Sequence, residues 1–137
     1  MVNKTSAIEW LNHSYHDLNG AILLFKADHY TDTISYVLQQ ALEKMLKSIL
    51  ASQNKPIKKI HNLLDVYDSV ATDTFVLCEE ELMYLSIATT YYTKQKYPVQ
   101  EKKLPPKDEI KEILDFAKEL FDRVCSQLNI DVAEVKK

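Results

Sequence analysis

The stretch Thr31 to Ser52, TDTISYVLQQALEKMLKSILAS, sets apolar residues at Ile34, Leu38, Ala41, Met45 and Ile49. Steps of three and four place them on one face of a helix with 3.6 residues per turn, and Val37, Leu42 and Leu46 widen that face. Thr31 or Asp32 offers a capping oxygen at its start. Asn54, Lys55 and Pro56 break it. A helix with so wide an apolar stripe must bury it against other helices.

The flanking sequence supplies them. Upstream, Ser6 and Glu9 have the spacing of a capping box, and Ile8, Leu11, Tyr15, Leu18, Ile22 and Phe25 line one face before a turn at Ala27 to Tyr30. Trp10 reads as a core residue. Downstream, Asn62 to Val70 predicts a short helix with Leu63, Leu64 and Tyr67 inward. A weak loop near Ala71 to Asp73 precedes a helix over about Phe75 to Lys94, with Glu79, Glu80 and Glu81 at its positive dipole end. Pro98 closes that region and Lys102 to Pro106 is a polar linker. Lys107 or Asp108 opens a last long helix through Ile110, Ile113, Leu114, Ala117, Leu120, Val124 and Leu128. Residues 129–137 read as frayed or weakly helical. The expectation is one all-α domain over residues 1–137, an antiparallel up-and-down four-helix bundle with one additional short helix.

Composition supports this and narrows the chemistry. The 137 residues include one glycine and four prolines. Hairpins, bulges and phosphate-cradling loops need glycine where φ is positive, so an all-β fold, a Walker loop and a dinucleotide fingerprint are excluded. Lys and Arg number 17 against 20 Asp and Glu, a net charge of −3, and Arg123 is the single arginine. The chain is therefore not a globally basic nucleic-acid binder. Cys78 and Cys125 form no CxxC and read as buried thiols of a reducing compartment. Met1 to Trp10 lacks the apolar core of a signal peptide, and no apolar run reaches about 18 residues. A cytoplasmic protein without membrane contact is expected.

Several sites are absent. No glutamate has a histidine three residues later, as a di-iron bundle would require. There is neither C-x-x-C-H for haem nor H-E-x-x-H for zinc. His13 and His16 have ligand spacing beside Asp17, but no third ligand is evident and an exposed polar face accounts for them. Neither a metal nor a cofactor is expected.

One polar pattern stands out. Gln40, Glu43, Lys44 and Lys47 recur at i, i+3, i+4 and i+7 along the second helix. They form either a solvated face or a groove in which amide, carboxylate and ammonium converge on a ligand. The sequence around them resembles the HEPN domains, the "higher eukaryotes and prokaryotes nucleotide-binding" helical bundles. Trp10-Leu11 followed by Asp17-Leu18 and Ala21 is similar to the family's W-L…D-L-x-x-A. Gln40 to Lys47 matches Q-A-x-E-K-x-L-K, His61-Asn62-Leu63 matches H-x-L, and Tyr92 with Lys96-Tyr97-Pro98 falls where the family has a tyrosine and R-Y-P.

The resemblance implies a binding module for a nucleotide or other phosphate ligand and a partner for a small nucleotidyltransferase in a toxin–antitoxin-like module. A homodimer is expected because helical bundles dimerise readily and would bury the exposed part of a wide apolar stripe that way. It places Lys44, Lys47 and Lys96 on phosphate, Gln40 and Glu43 as orienting groups, His61 as a ligand residue or helix cap, Tyr92 or Tyr97 toward a base, and Asp17 behind Lys44. Lysine where the family often has arginine implies weaker, less directional phosphate contacts. Family ribonucleases carry Arg-x4-6-His, which this chain cannot supply because Arg123 follows its last histidine, His61. No catalytic residue is therefore assigned. RNA binding is unsupported, and an RNA-acting enzyme or a structural dimer remains the alternative.

Counting five alternating helices puts the loops after the second and fourth at one end. That end would gather Lys55, Lys58, Lys59, Lys94, Lys96, Lys102, Lys103 and Lys107, opposite Asp28, Asp32, Asp73 and Glu79 to Glu81. If the short helix only caps the bundle, this patch disperses.

Overall fold

The computed structural model describes residues 3–57, 59–96 and 104–137. Six helices follow in order: α1 (Lys4–Lys26), α2 (Thr31–Ser52), α3 (Leu63–Val70), α4 (Glu79–Lys96), α5 (Lys107–Gln127) and α6 (Val132–Val135). The four long ones form the up-and-down bundle, and the described residues contain no strand. Central α2 contacts α1, α3, α4 and α5, so its second half is covered all round and every residue from Met45 to Ser52 is buried. Leu11, Leu38, Leu42, Leu46, Leu85, Ile113 and Leu120 meet in the core.

The helix ends explain how a chain with one glycine turns. Asp28, Asn54 and Asn129 adopt φ of 60°, 55° and 55° just past α1, α2 and α5. At each end the next residue closes the helix: His29 N–H donates to Leu24 O, Lys55 N–H to Leu50 O and Ile130 N–H to Cys125 O. These are Schellman closures with Asp or Asn in the left-handed position that glycine usually takes.

The starts differ from the sequence reading in three places, of which the simplest is α2: it opens from Tyr30 with no side-chain cap, in place of the expected Thr31 or Asp32. Asn3 caps α1, accepting from Ser6 N, so the helix begins before the Ser6–Glu9 box. Asn3 also donates its backbone N–H to Ser52 O at 2.6 Å and its amide to Asn54 Oδ1 at 2.9 Å, tying the start of α1 to the end of α2. α4 begins at Glu79 rather than near Phe75. Phe75 and Leu77 are buried, but they belong to a loop closed by the Thr72–Phe75 bridge and by Leu77 N–H donating to Tyr67 Oη. Burial, not helix formation, made that stretch apolar.

α3 does not cross the bundle. His61 reaches Glu43 midway along α2, and α3 then returns to the α2 C-terminal end, where Val70 lies with Ser52 and Gln53. α4 therefore runs opposite to α2, and its Tyr92 reaches Tyr36 near the α2 start. The C-terminal ends of α2 and α4 therefore lie at opposite ends of the bundle, and among the described residues the expected lysines do not gather at one end. Lys107 instead pairs with Asp28, expected at the other end. Lys58, Lys102 and Lys103, like Tyr97 and Pro98, lie outside the described residues.

Residues 129–137, read as frayed or weakly helical, carry α6 docked on α1. Val135 is buried, its carbonyl accepts from Asn12 Nδ2 at 3.0 Å, and Asp131 caps the turn.

Candidate functional site

α2 carries its polar residues into two separate environments. On the side facing α3 and α4, Glu43 and Lys47 are only 5% and 4% exposed. Lys47 Nζ donates to Glu43 Oε2 at 3.1 Å. Glu43 Oε1 accepts from His61 Nδ1 at 3.0 Å and from Gln39 Nε2 at 3.1 Å. Gln39, fully buried, also donates to His61 O at 3.2 Å and accepts from Gln40 Nε2 at 2.6 Å. Both carboxylate oxygens are thus engaged, as a buried charge requires.

His61 is held by its neighbours on three elements. Its ring stacks on Tyr92 with centroids 4.1 Å apart and planes 14° apart. Tyr92 in turn stacks with Tyr36 at 6.1 Å and 21°. Asn62 caps α3 by accepting from Leu64 and Asp65, and Leu63 N–H donates to Thr89 Oγ1 at 3.1 Å, which locks the turn after His61 onto α4. Because a carboxylate only accepts, His61 Nδ1 carries a proton, and in the neutral ring Nε2 presents the lone pair. Beside this cluster, Leu50, Pro56, Ile60 and Val66 wall a recess of about 260 Å³ that Lys47 also lines.

On the other side of α2, Lys44 Nζ donates to Asp17 Oδ2 at 2.6 Å, with side chains 29% and 27% exposed. Lys44 borders a recess of about 380 Å³ with Glu9, Trp10 and His13. Trp10 is half-buried there rather than a core residue.

The structure thus brings Gln40, Glu43, Lys47, His61 and Tyr92 into one network and sets Lys44 with Asp17 apart from it. The single groove lined by both lysines is not formed, because the positions alternate between two flanks of a covered helix. Lys96 ends α4, but its side chain, like all of Tyr97, falls outside the described part. Two members were not singled out from the sequence, Gln39 and Tyr36. Tyr36 lies at i−4 from Gln40 and i−7 from Glu43, so helical spacing alone could have found it.

Arg123 donates to Glu81 Oε2 at 2.6 Å and to Val76 O at 3.0 Å. Burial alone would raise the Glu81 pKa, but hydrogen bonds from Cys78 and the charge of Arg123 outweigh it and leave the carboxyl below its usual value. Cys78 is exposed, correcting the expectation of a buried thiol, whereas Cys125 is buried. Burial, aided by Asp122, pushes the Cys125 thiol up to about 11. The Tyr91 hydroxyl donates to Glu109 Oε2, and burial together with that carboxylate raises its pKa far above the ordinary phenol. Among the described residues no three His, Cys, Asp or Glu side chains converge as a metal site, and no helix is long and apolar enough to cross a membrane.

The sequence profile described as HEPN domain matches residues 7–128. A search of curated proteins finds no match. Two solved structures are similar in fold. One is TT1696 from Thermus thermophilus, with TM-score 0.74 and 23% identity, covering 88% of this chain and 97% of that one. The other is ST0689, described as an archaeal HEPN homologue, with TM-score 0.67 and 20% identity, covering 89% and 97%.

Proposed function

The chain belongs to the HEPN domain family, and from that premise we propose that it is a nucleotide-binding module whose ligand sits on the His61 face of α2. The observation that carries this reading is His61 itself. Its ring is fixed from behind by a buried carboxylate and from one side by Tyr92, yet its side chain is 41% exposed. A buried ion pair adds little stability over apolar residues of the same volume. Using Glu43 and Lys47 to fix one surface ring therefore fits a task of presentation better than one of folding.

The ribonuclease reading has less support. Its chemistry needs an arginine on phosphate beside the histidine, and the only arginine, on α5, is committed to Glu81 and Val76.

The test is a thermal melt at low salt against mono- and triphosphate nucleotides, with phosphate and pyrophosphate as controls. A ligand at about 100 times its Kd adds about 2.7 kcal/mol, a shift of several degrees in a domain of this size. The expected result is a nucleotide shift that His61→Ala removes. A flat response to every ligand would reject the reading.

A further inference from the structure

Resting on the nucleotide reading, we propose that the site recognises its ligand mainly through the flat face of the nucleobase, stacked on the outward face of His61, and not through the phosphates.

Three observations lead there. First, Tyr36 and Glu43 are seven residues apart, about 10 Å along a helix axis. Tyr36 stacks with Tyr92, and Glu43 anchors the ring that stacks with Tyr92 at 4.1 Å. Tyr92 therefore lies between Tyr36 and His61, the middle of a three-ring column, and among the described residues His61 is its end. Second, the inner face of His61 lies on Tyr92 and its Nδ1 edge on Glu43, while its side chain is 41% exposed, which leaves the outer face and the Nε2 side to meet a ligand. A planar ring at the end of a rigid column is a platform for another planar ring, and stacking of this kind accepts any base.

Third, the lysines of the α2 stripe offer no free charge. Lys47 is buried on Glu43 and Lys44 is held by Asp17. Taking either ammonium for a phosphate would strand its carboxylate, and for Glu43 that carboxylate is buried. The resemblance places phosphates on these two lysines and on Lys96, whose side chain lies outside the described residues; the pairing of Lys44 and Lys47 in the fold directs recognition to the base. Larger purine rings gain more stacking area than pyrimidines, so adenine and guanine ligands rank first.

Calorimetry on the full chain with adenosine, AMP, ATP and tripolyphosphate, at low and high salt, tests this. The expected result is adenosine and ATP binding with similar affinity, little change with salt, and no measurable tripolyphosphate binding. His61→Ala weakens adenosine binding roughly ten- to hundredfold, while His61→Phe, which keeps a flat ring, retains more of it than His61→Ala does. Should His61→Phe melt too early to assay, Tyr92→Leu serves instead, since it removes the support beneath the platform and weakens adenosine and ATP alike. ATP and tripolyphosphate binding equally, with adenosine inert, would overturn base-first recognition while leaving a phosphate-ligand module standing. Adenosine binding untouched by His61→Ala would place the base elsewhere. No binding by any probe would overturn both readings.

Discussion

Lys44 and Lys47 lie three residues apart on one helix, each paired with a carboxylate, and they are physically different objects. Lys47 sits on Glu43 beneath the chain that returns from α2 to α3, almost without solvent. Lys44 reaches across to Asp17 on α1 with more than a quarter of each side chain in water. Water screens the second pair and is excluded from the first. The same two letters in the sequence therefore belong to a surface clasp and to the anchoring of a presented ring.

The largest effect that separates them comes from breaking the covered pair. Lys47→Met leaves a buried carboxylate short of its cation and costs about 3–5 kcal/mol, a loss of roughly 10 °C or more in melting temperature. The double variant Glu43→Leu with Lys47→Met removes both charges and is expected to recover most of that stability in a urea titration. It does not recover the anchor on His61, so nucleotide binding stays impaired in a chain that melts near the parent. A double variant as unstable as Lys47→Met would show that the pair is needed for folding, and the contrast with Lys44 would then be one of degree.

How much of this was legible in the sequence follows from what each feature depends on. The faces of α1, α2 and α5 depend on local periodicity, and Ile34 to Ile49 or Ile110 to Val124 state it directly. The closures at Asp28, Asn54 and Asn129 are less visible, because Asp and Asn are common and only the observed φ marks them as turning points. The start of α4 was misplaced since Phe75 and Leu77 are apolar for burial in a loop, and hydrophobicity alone does not separate the two cases. The basic end was misplaced because one eight-residue helix, counted as a full crossing, reverses every end after it. At the site, Gln40, Glu43 and Lys47 follow from helical spacing, whereas His61 and Tyr92 follow only from the HEPN resemblance. Their division from Lys44 and Asp17 follows from neither, because whether a polar face is wet depends on which distant segment covers it.

A third polar contact, between α4 and α5, sharpens the comparison. Tyr91 is buried and donates a neutral hydroxyl to Glu109, so no buried cation is involved. Tyr91→Phe costs about 1–2 kcal/mol near neutral pH. The raised phenol pKa means the folded state keeps a proton that the unfolded chain releases near pH 10. The contact's contribution is full below that pH and declines as pH rises above it. Unfolding titrations across the alkaline range should therefore find parent and Tyr91→Phe converging. Parallel curves would mean that the hydroxyl contributes without its proton being held.

The smallest effect belongs to Lys44 and Asp17. A partly exposed pair of this kind is worth about 0.2–1 kcal/mol in a double-mutant cycle, even at a 2.6 Å separation. Lys44→Met, Asp17→Asn and their combination should all melt within a few degrees of the parent, and added salt should shrink the coupling because solvent-exposed charges are screened. The combination tests function as well as stability. If recognition runs through the ring of His61, removing both charges leaves adenosine affinity where it was, since the clasp lies on the opposite flank of α2. A large drop in binding with unchanged melting would move the ligand to the recess bordered by Trp10 and His13, and Lys44 rather than His61 would then be the residue that the fold presents.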